Sequence, residues 1–227
     1  PTRRSSDLGD LAQVTATAGQ LYSELRVGGT VNSVIIGGAT NLPGNVQVGR
    51  GSVVAFGRIN SVTVGGDFGG SIISYAGGIG SVTINNGSFL AGGQIRANDG
   101  SIDNFTINSG NLYGDVHADI NIVSLTVRAS ADSIWGDIGI NDERSQGAAT
   151  SDPRRNQLPP GVVQTAGFNG PRITAGQNIV NILVTEGNVY EAVFQAGREI
   201  RTIQINGAVL NDRITGGFGT AFVAADR

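Results

Sequence analysis

Residues 52–84 read SVVAFGRINSVTVGGDFGGSIISYAGGIGSVTI, and within them one unit is written twice. Each copy opens with a four-residue alternation, SVVA from Ser52 and SIIS from Ser71. A corner rich in Gly or Arg follows, and then a second alternation, INSVTV from Ile59 and IGSVTI from Ile79. Apolar residues at every second place mark strands rather than helices, and Val, Ile and Thr are the residues that pack best on a pleated surface. The Gly, Asn and Asp between the runs supply turns that can take positive φ. A strand of four residues cannot bury its apolar face alone. Copies stacked at a strand spacing of about 4.8 Å bury a continuous column of Ile and Val.

Outward from this pair the unit recurs as ELRVGGTVNSVII from Glu24, QIRANDGSIDNFTI from Gln94 and DVHADINIVSLTV from Asp115. It returns as RITAGQNIVNILV from Arg172, AVFQAGREIRTIQI from Ala192 and a partial DRITGGFGTAFV from Asp212. The cores starting at Ser33, Ser61, Ser81, Asn104 and Ser124 are 28, 20, 23 and 20 residues apart. Internal repetition at that period predicts a solenoid. The expected fold is all-β, a right-handed parallel β-helix of about eight coils of roughly 20–23 residues. A β-sandwich of the same strands is disfavoured by the near identity of the units. The predicted organisation is a β-helix block over 9–140, a loop insertion or hinge over 141–170, where Pro153, Pro159 and Pro160 break the rhythm, and further coils over 171–227.

Composition removes whole chemistries. The 227 residues include 36 Gly but no Cys and no Met, every one of the 15 basic residues is Arg, and His117 is the single histidine. Lysine-dependent phosphate loops and Schiff bases, thiol nucleophiles, Cys-ligated zinc and two-histidine metal motifs are all unavailable. A net charge of −3 gives no footprint for nucleic acid. No apolar run reaches the roughly 18 residues of a membrane-spanning helix.

The first eight residues, PTRRSSDL, are unlike the rest. They resemble one reading frame of a common short-read sequencing adapter, in which CCT ACA CGA CGC TCT TCC GAT encodes Pro1 to Asp7 and the next CT begins a Leu codon. Residues 1–8 are therefore taken as an assembly artefact and excluded from the fold. The chain is expected to be part of a longer polypeptide.

Three constellations carry candidate chemistry. In DVHAD, the residues Asp115, His117 and Asp119 alternate with Val116 and Ala118, so all three are expected on one outer face. Stacking is expected to bring Arg96 from one neighbouring coil and Asp137 from the other beside Asp115 and His117. That patch offers acid and base groups for a polysaccharide-cleaving reaction, contacts for an anionic sugar, or a metal set of Asp115, His117 and Asp119. The second constellation is a hydroxyl ladder of Ser61 and Thr63, Ser81 and Thr83, Asn104 and Thr106, and Ser124 and Thr126, suited to an ordered surface such as ice or a crystalline polymer. The third, GGDFGG at 65–70, resembles calcium-binding Gly-Asp repeats but occurs once, and is read as a turn.

Units such as GSIISYAGGIGSVTI (70–84) and GQIRANDGSIDNFTI (93–107) resemble the repeats of adhesin-like β-helix proteins, which are very large secreted or cell-surface proteins of bacteria. The resemblance covers roughly residues 24–140 and 171–223. It implies an extracellular or cell-surface, non-enzymatic structural and adhesive module that needs no cofactor and meets carbohydrate or cell-surface components. β-Helix lyases and glycoside hydrolases share that fold, so an enzyme centred on Arg96, Asp115, His117 and Asp137 is the alternative, and binding through the hydroxyl ladder a second one.

Overall fold

Alternation ends at a turn residue every four to seven positions, and each repeat accordingly folds into a short strand, a tight corner and a longer strand. A computed structural model describes residues 9–16, 24–37, 51–128, 171–185, 189–190, 192–206, 209–210, 213–215 and 222–224; Asp137 and the segments 1–8 and 141–170 lie outside them. In chain order the strands are β1 (Leu11–Ala16), β2 (Glu24–Val27), β3 (Val31–Ile36), β4 (Ser52–Ala55), β5 (Ile59–Val64), β6 (Ser71–Ser74) and β7 (Ile79–Ile84). These are followed by β8 (Gln94–Ala97), β9 (Ile102–Ile107), β10 (Asp115–Ala118), β11 (Asn121–Val127), β12 (Arg172–Ala175) and β13 (Asn178–Val184). The last are β14 (Val189–Tyr190), β15 (Val193–Ala196), β16 (Glu199–Ile205), β17 (Val209–Leu210), β18 (Arg213–Thr215) and β19 (Phe222–Ala224). The described residues are all-β and contain no helix, so none of them forms a helix long and apolar enough to cross a membrane.

The longer strands form a nine-stranded sheet in the order β1-β3-β5-β7-β9-β11-β13-β16-β19, and the short ones an eight-stranded sheet in the order β2-β4-β6-β8-β10-β12-β15-β18. Each sheet is parallel throughout, and its spatial order is chain order, which gives a solenoid-like stack of repeats. Outside these two sheets, β14 and β17 form a parallel pair, and single parallel bridges link Phe68 to Phe89 and Phe89 to Leu112. Pairing continues through the corners. The amide of Phe56 donates to the Val27 carbonyl at 3.0 Å, that of Tyr75 to Ala55 at 2.9 Å and that of Asn98 to Ser74 at 2.8 Å. Corner backbone groups are thereby satisfied by the coil before them rather than by water.

Between the two large sheets lies one continuous apolar core. Ile59, Ile79, Ile102, Ile122, Ile179 and Ile200 stack as a single fully buried column, one residue per coil. In β3, β5, β7 and β9 the first, fourth and sixth positions are buried, so two successive outward residues interrupt strict alternation. Opposite the bulky columns, the last position of the short strands from β4 to β15 holds small residues: Ala55, Ser74, Ala97, Ala118, Ala175 and Ala196. Ser74 is buried there without cost because its Oγ donates to the Gly57 carbonyl at 2.9 Å. Phe68 and Phe89 stack with ring centroids 5.8 Å apart, and Phe105 meets Phe89 edge-on at 5.7 Å.

β10 pairs directly with β12, and β11 with β13, across a sequence separation of 57 residues. Both sheets therefore run without a break from the repeats before segment 129–170 to those after it. Close stacking also explains why corners favour glycine. A Cβ at Gly70 would overlap the carbonyl oxygen of Gly51 on the preceding coil, and Gly78 takes φ +79°.

Candidate functional site on the eight-stranded sheet

Along each short strand the residues at odd places and the one just past the strand point outward, which rules the outer face of the eight-stranded sheet into three columns. The middle column runs Arg26, Val54, Ile73, Arg96, His117, Thr174 and Gln195, as the register pairs them. One flanking column contains Ser71, Gln94 and Asp115, with Arg172 at the corresponding place on β12 and Val193 after it. The other is the corner column, Phe56, Tyr75, Asn98, Asp119 and Gly176, each donating its amide to the coil before.

Gln94, Arg96, Asp115, His117, Arg172 and Thr174 line a groove of about 170 Å³ on this face. Its polar atoms hold one another. His117 Nε2 lies 2.8 Å from Asp119 Oδ1, and Nδ1 lies 2.6 Å from Thr174 Oγ1. A carboxylate only accepts, so Nε2 carries the donated proton, and in the neutral ring Nδ1 accepts from the threonine hydroxyl. The other Asp119 oxygen accepts the backbone N–H of Asp99 at 3.0 Å, and Asp115 Oδ1 accepts the backbone N–H of Arg172 at 2.9 Å. Arg96 Nε donates to Asn98 Oδ1 at 2.7 Å. The Asp99 amide, first, and the His117 side chain, second, hold the Asp119 carboxyl below its usual range, because both stabilise its charged form.

The structure thus brings Arg96, Asp115 and His117 together. Asp137 lies outside the described residues, and the neighbouring coil presents Arg172 and Thr174 where the sequence pattern put it. Those two were not read from the sequence, because RITA aligns with DVHA only once segment 129–170 is skipped. Asp115, His117 and Asp119 share the face, and both imidazole nitrogens, both Asp119 oxygens and Asp115 Oδ1 have protein hydrogen-bond partners. Among the described residues no group of three or more His, Cys, Asp or Glu is placed to hold a metal ion.

On the nine-stranded sheet, register puts Ser61, Ser81, Asn104 and Ser124 in one column and Thr63, Thr83, Thr106 and Thr126 in a second. Ser61 Oγ donates to the Asn32 carbonyl at 3.2 Å and Ser81 Oγ to the Asn60 carbonyl at 3.4 Å, so these hydroxyls are partly committed to the coil before. Thr126 is only 8% exposed, which removes it from any surface array. No family model, curated protein or solved structure matches the chain.

Proposed function

We propose that this chain is a structural and adhesive segment of a right-handed, closed parallel β-helix within a larger extracellular bacterial protein, and that it is not catalytic. The observation carrying this reading is the unbroken coil-on-coil register of both sheets, which makes a stiff rod whose polar outer groups are tied to one another. Right-handedness is the general preference of parallel crossover connections. Thr174, His117 and Asp119 follow the order hydroxyl, imidazole, carboxylate. The backbone around Thr174 is nevertheless engaged in sheet pairing on both sides, so an oxyanion would find no pair of backbone donors there.

The test is adhesion under flow. Beads coated with the 227-residue chain are expected to stay on films of bacterial surface material at shear that clears beads coated with an unrelated β-rich protein. Equal clearance of the two would overturn the adhesive reading. The groove supports a second reading, a polysaccharide-cleaving enzyme using Arg96, Asp115 and His117. Release of reducing ends from a polysaccharide, lost in both Asp115→Ala and His117→Ala, is the result that would establish it.

A further inference from the structure

Exposed aromatic rings are the least expected feature of the outer face. Phe56 is 52% exposed and Tyr75 41%, and the two stand side by side on successive coils with ring centroids 5.3 Å apart and planes tilted by 30°. The fold does not demand aromatic residues there, since the same corner place holds Asn98, Asp119, Gly176 and Gly197 in later coils. One coil beyond Tyr75 the groove begins, with Gln94 and Arg96 on β8, then Asp115 and His117 on β10, then Arg172 and Thr174 on β12. Platform and groove together span five consecutive strands of one face, roughly 19 Å at the usual strand spacing of about 4.8 Å.

The chemistry of the groove selects among ligands. Of its lining, Arg96 and Arg172 are cationic and Asp115 is anionic, and the Asp119 carboxylate stands beside it on His117, so an ion of either sign entering the groove meets a like charge close to each opposite one. Hydroxyl groups both donate and accept, and they suit a surface that alternates Arg, Asp, Gln and Thr. A hexose ring adds an apolar face of C–H bonds that fits flat against an aromatic ring. We infer that this face binds an uncharged glycan chain laid along the stack, with ring faces on Phe56 and Tyr75 and hydroxyls on Gln94, Arg96, Asp115 and Thr174. The inference rests on the adhesive reading and specifies what is adhered to.

The test is retardation of the full 227-residue chain in native gels containing hydroxyethyl cellulose, dextran or galactomannan, with polygalacturonate and dextran sulfate as charged controls. At least one uncharged polymer is expected to retard the chain, with little change on adding salt. The double variant Phe56→Ala, Tyr75→Ala and the single variant Arg96→Ala are each expected to bind about tenfold more weakly, and Val123→Ser, an exposed apolar residue on the other sheet, as well as wild type. The three substitutions are at exposed side chains, and circular dichroism reports whether each variant keeps its β signal. Should the aromatic variant lose it, Arg96→Ala alone decides.

Retardation by the charged polymers only, retardation unchanged in the variants, or self-association through the aromatic pair would each overturn the inference. If no uncharged polymer binds while coated beads still adhere, this site assignment falls and the adhesive reading stands. If the beads fail too, both fall.

Discussion

Phe89 links the corners of three successive repeats, bridging by its backbone to Phe68 and to Leu112. It is fully buried, stacks on Phe68 and receives the edge of Phe105. Truncation would leave a cavity that the neighbouring coils, fixed by their own ladders, cannot collapse into. Phe89→Ala is expected to cost about 3–5 kcal/mol, read as a lower urea midpoint at unchanged slope. Asp119 makes the second residue-scale prediction. Its folded-state pKa is depressed below the ordinary 3.8, chiefly by the Asp99 amide, so its contribution to stability is complete above the unfolded value and is lost as pH falls through the folded one. Wild type should lose melting temperature faster than Asp119→Asn as pH drops below about 4. Parallel pH profiles for the two proteins would contradict this.

At the scale of the strand, the narrow side of the core sets a size limit. Ala97, Ala118 and Ala175 are consecutive in one column, and all three are buried. Ala118→Leu is therefore expected to destabilise by about 1–3 kcal/mol through overpacking. A melting temperature equal to wild type would show that the column has room to spare. Strands of this kind were legible in the sequence because period 2 and glycine punctuation are local signals, and the buried columns Ile59 to Ile122 follow from them directly. The Arg96, Asp115 and His117 cluster was legible for the same reason: it needs only the alignment of adjacent copies. Arg172 and Thr174 were not. The run ADSIWGDIGI (131–140) alternates like another copy, and nothing local says that β10 pairs instead with a strand 57 residues on. Phe56 and Tyr75 were missed for a different cause. An aromatic residue at the end of an apolar run looks like core, and its exposure is decided by the corner, where the chain has already left the sheet.

Across the whole stack, strand pairing joins each coil only to the coils before and after it, and the Arg58–Asp103 ion pair reaches one coil further, so stability is close to a sum of coil terms and nearest-neighbour interfaces. Unfolding is then not confined to one all-or-none step. The calorimetric enthalpy is expected to exceed the van't Hoff enthalpy, and amide exchange should be slower in the strands paired on both sides, such as β5, β7, β9 and β11, than in the end strands β1 and β19. Equal enthalpies with uniform protection would mean that the repeats are coupled far more tightly than pairwise stacking allows.

Spatial order in both sheets equals chain order, and this bears on how such a molecule is made. Once the first coils exist, every new one finds a complete edge waiting for it and needs no residue that has yet to arrive. A chain delivered from one end, as during synthesis or passage through a narrow channel, can solidify behind the point of delivery. Each added turn also removes slack that would let the chain slide back, so growth of the rod itself becomes a ratchet.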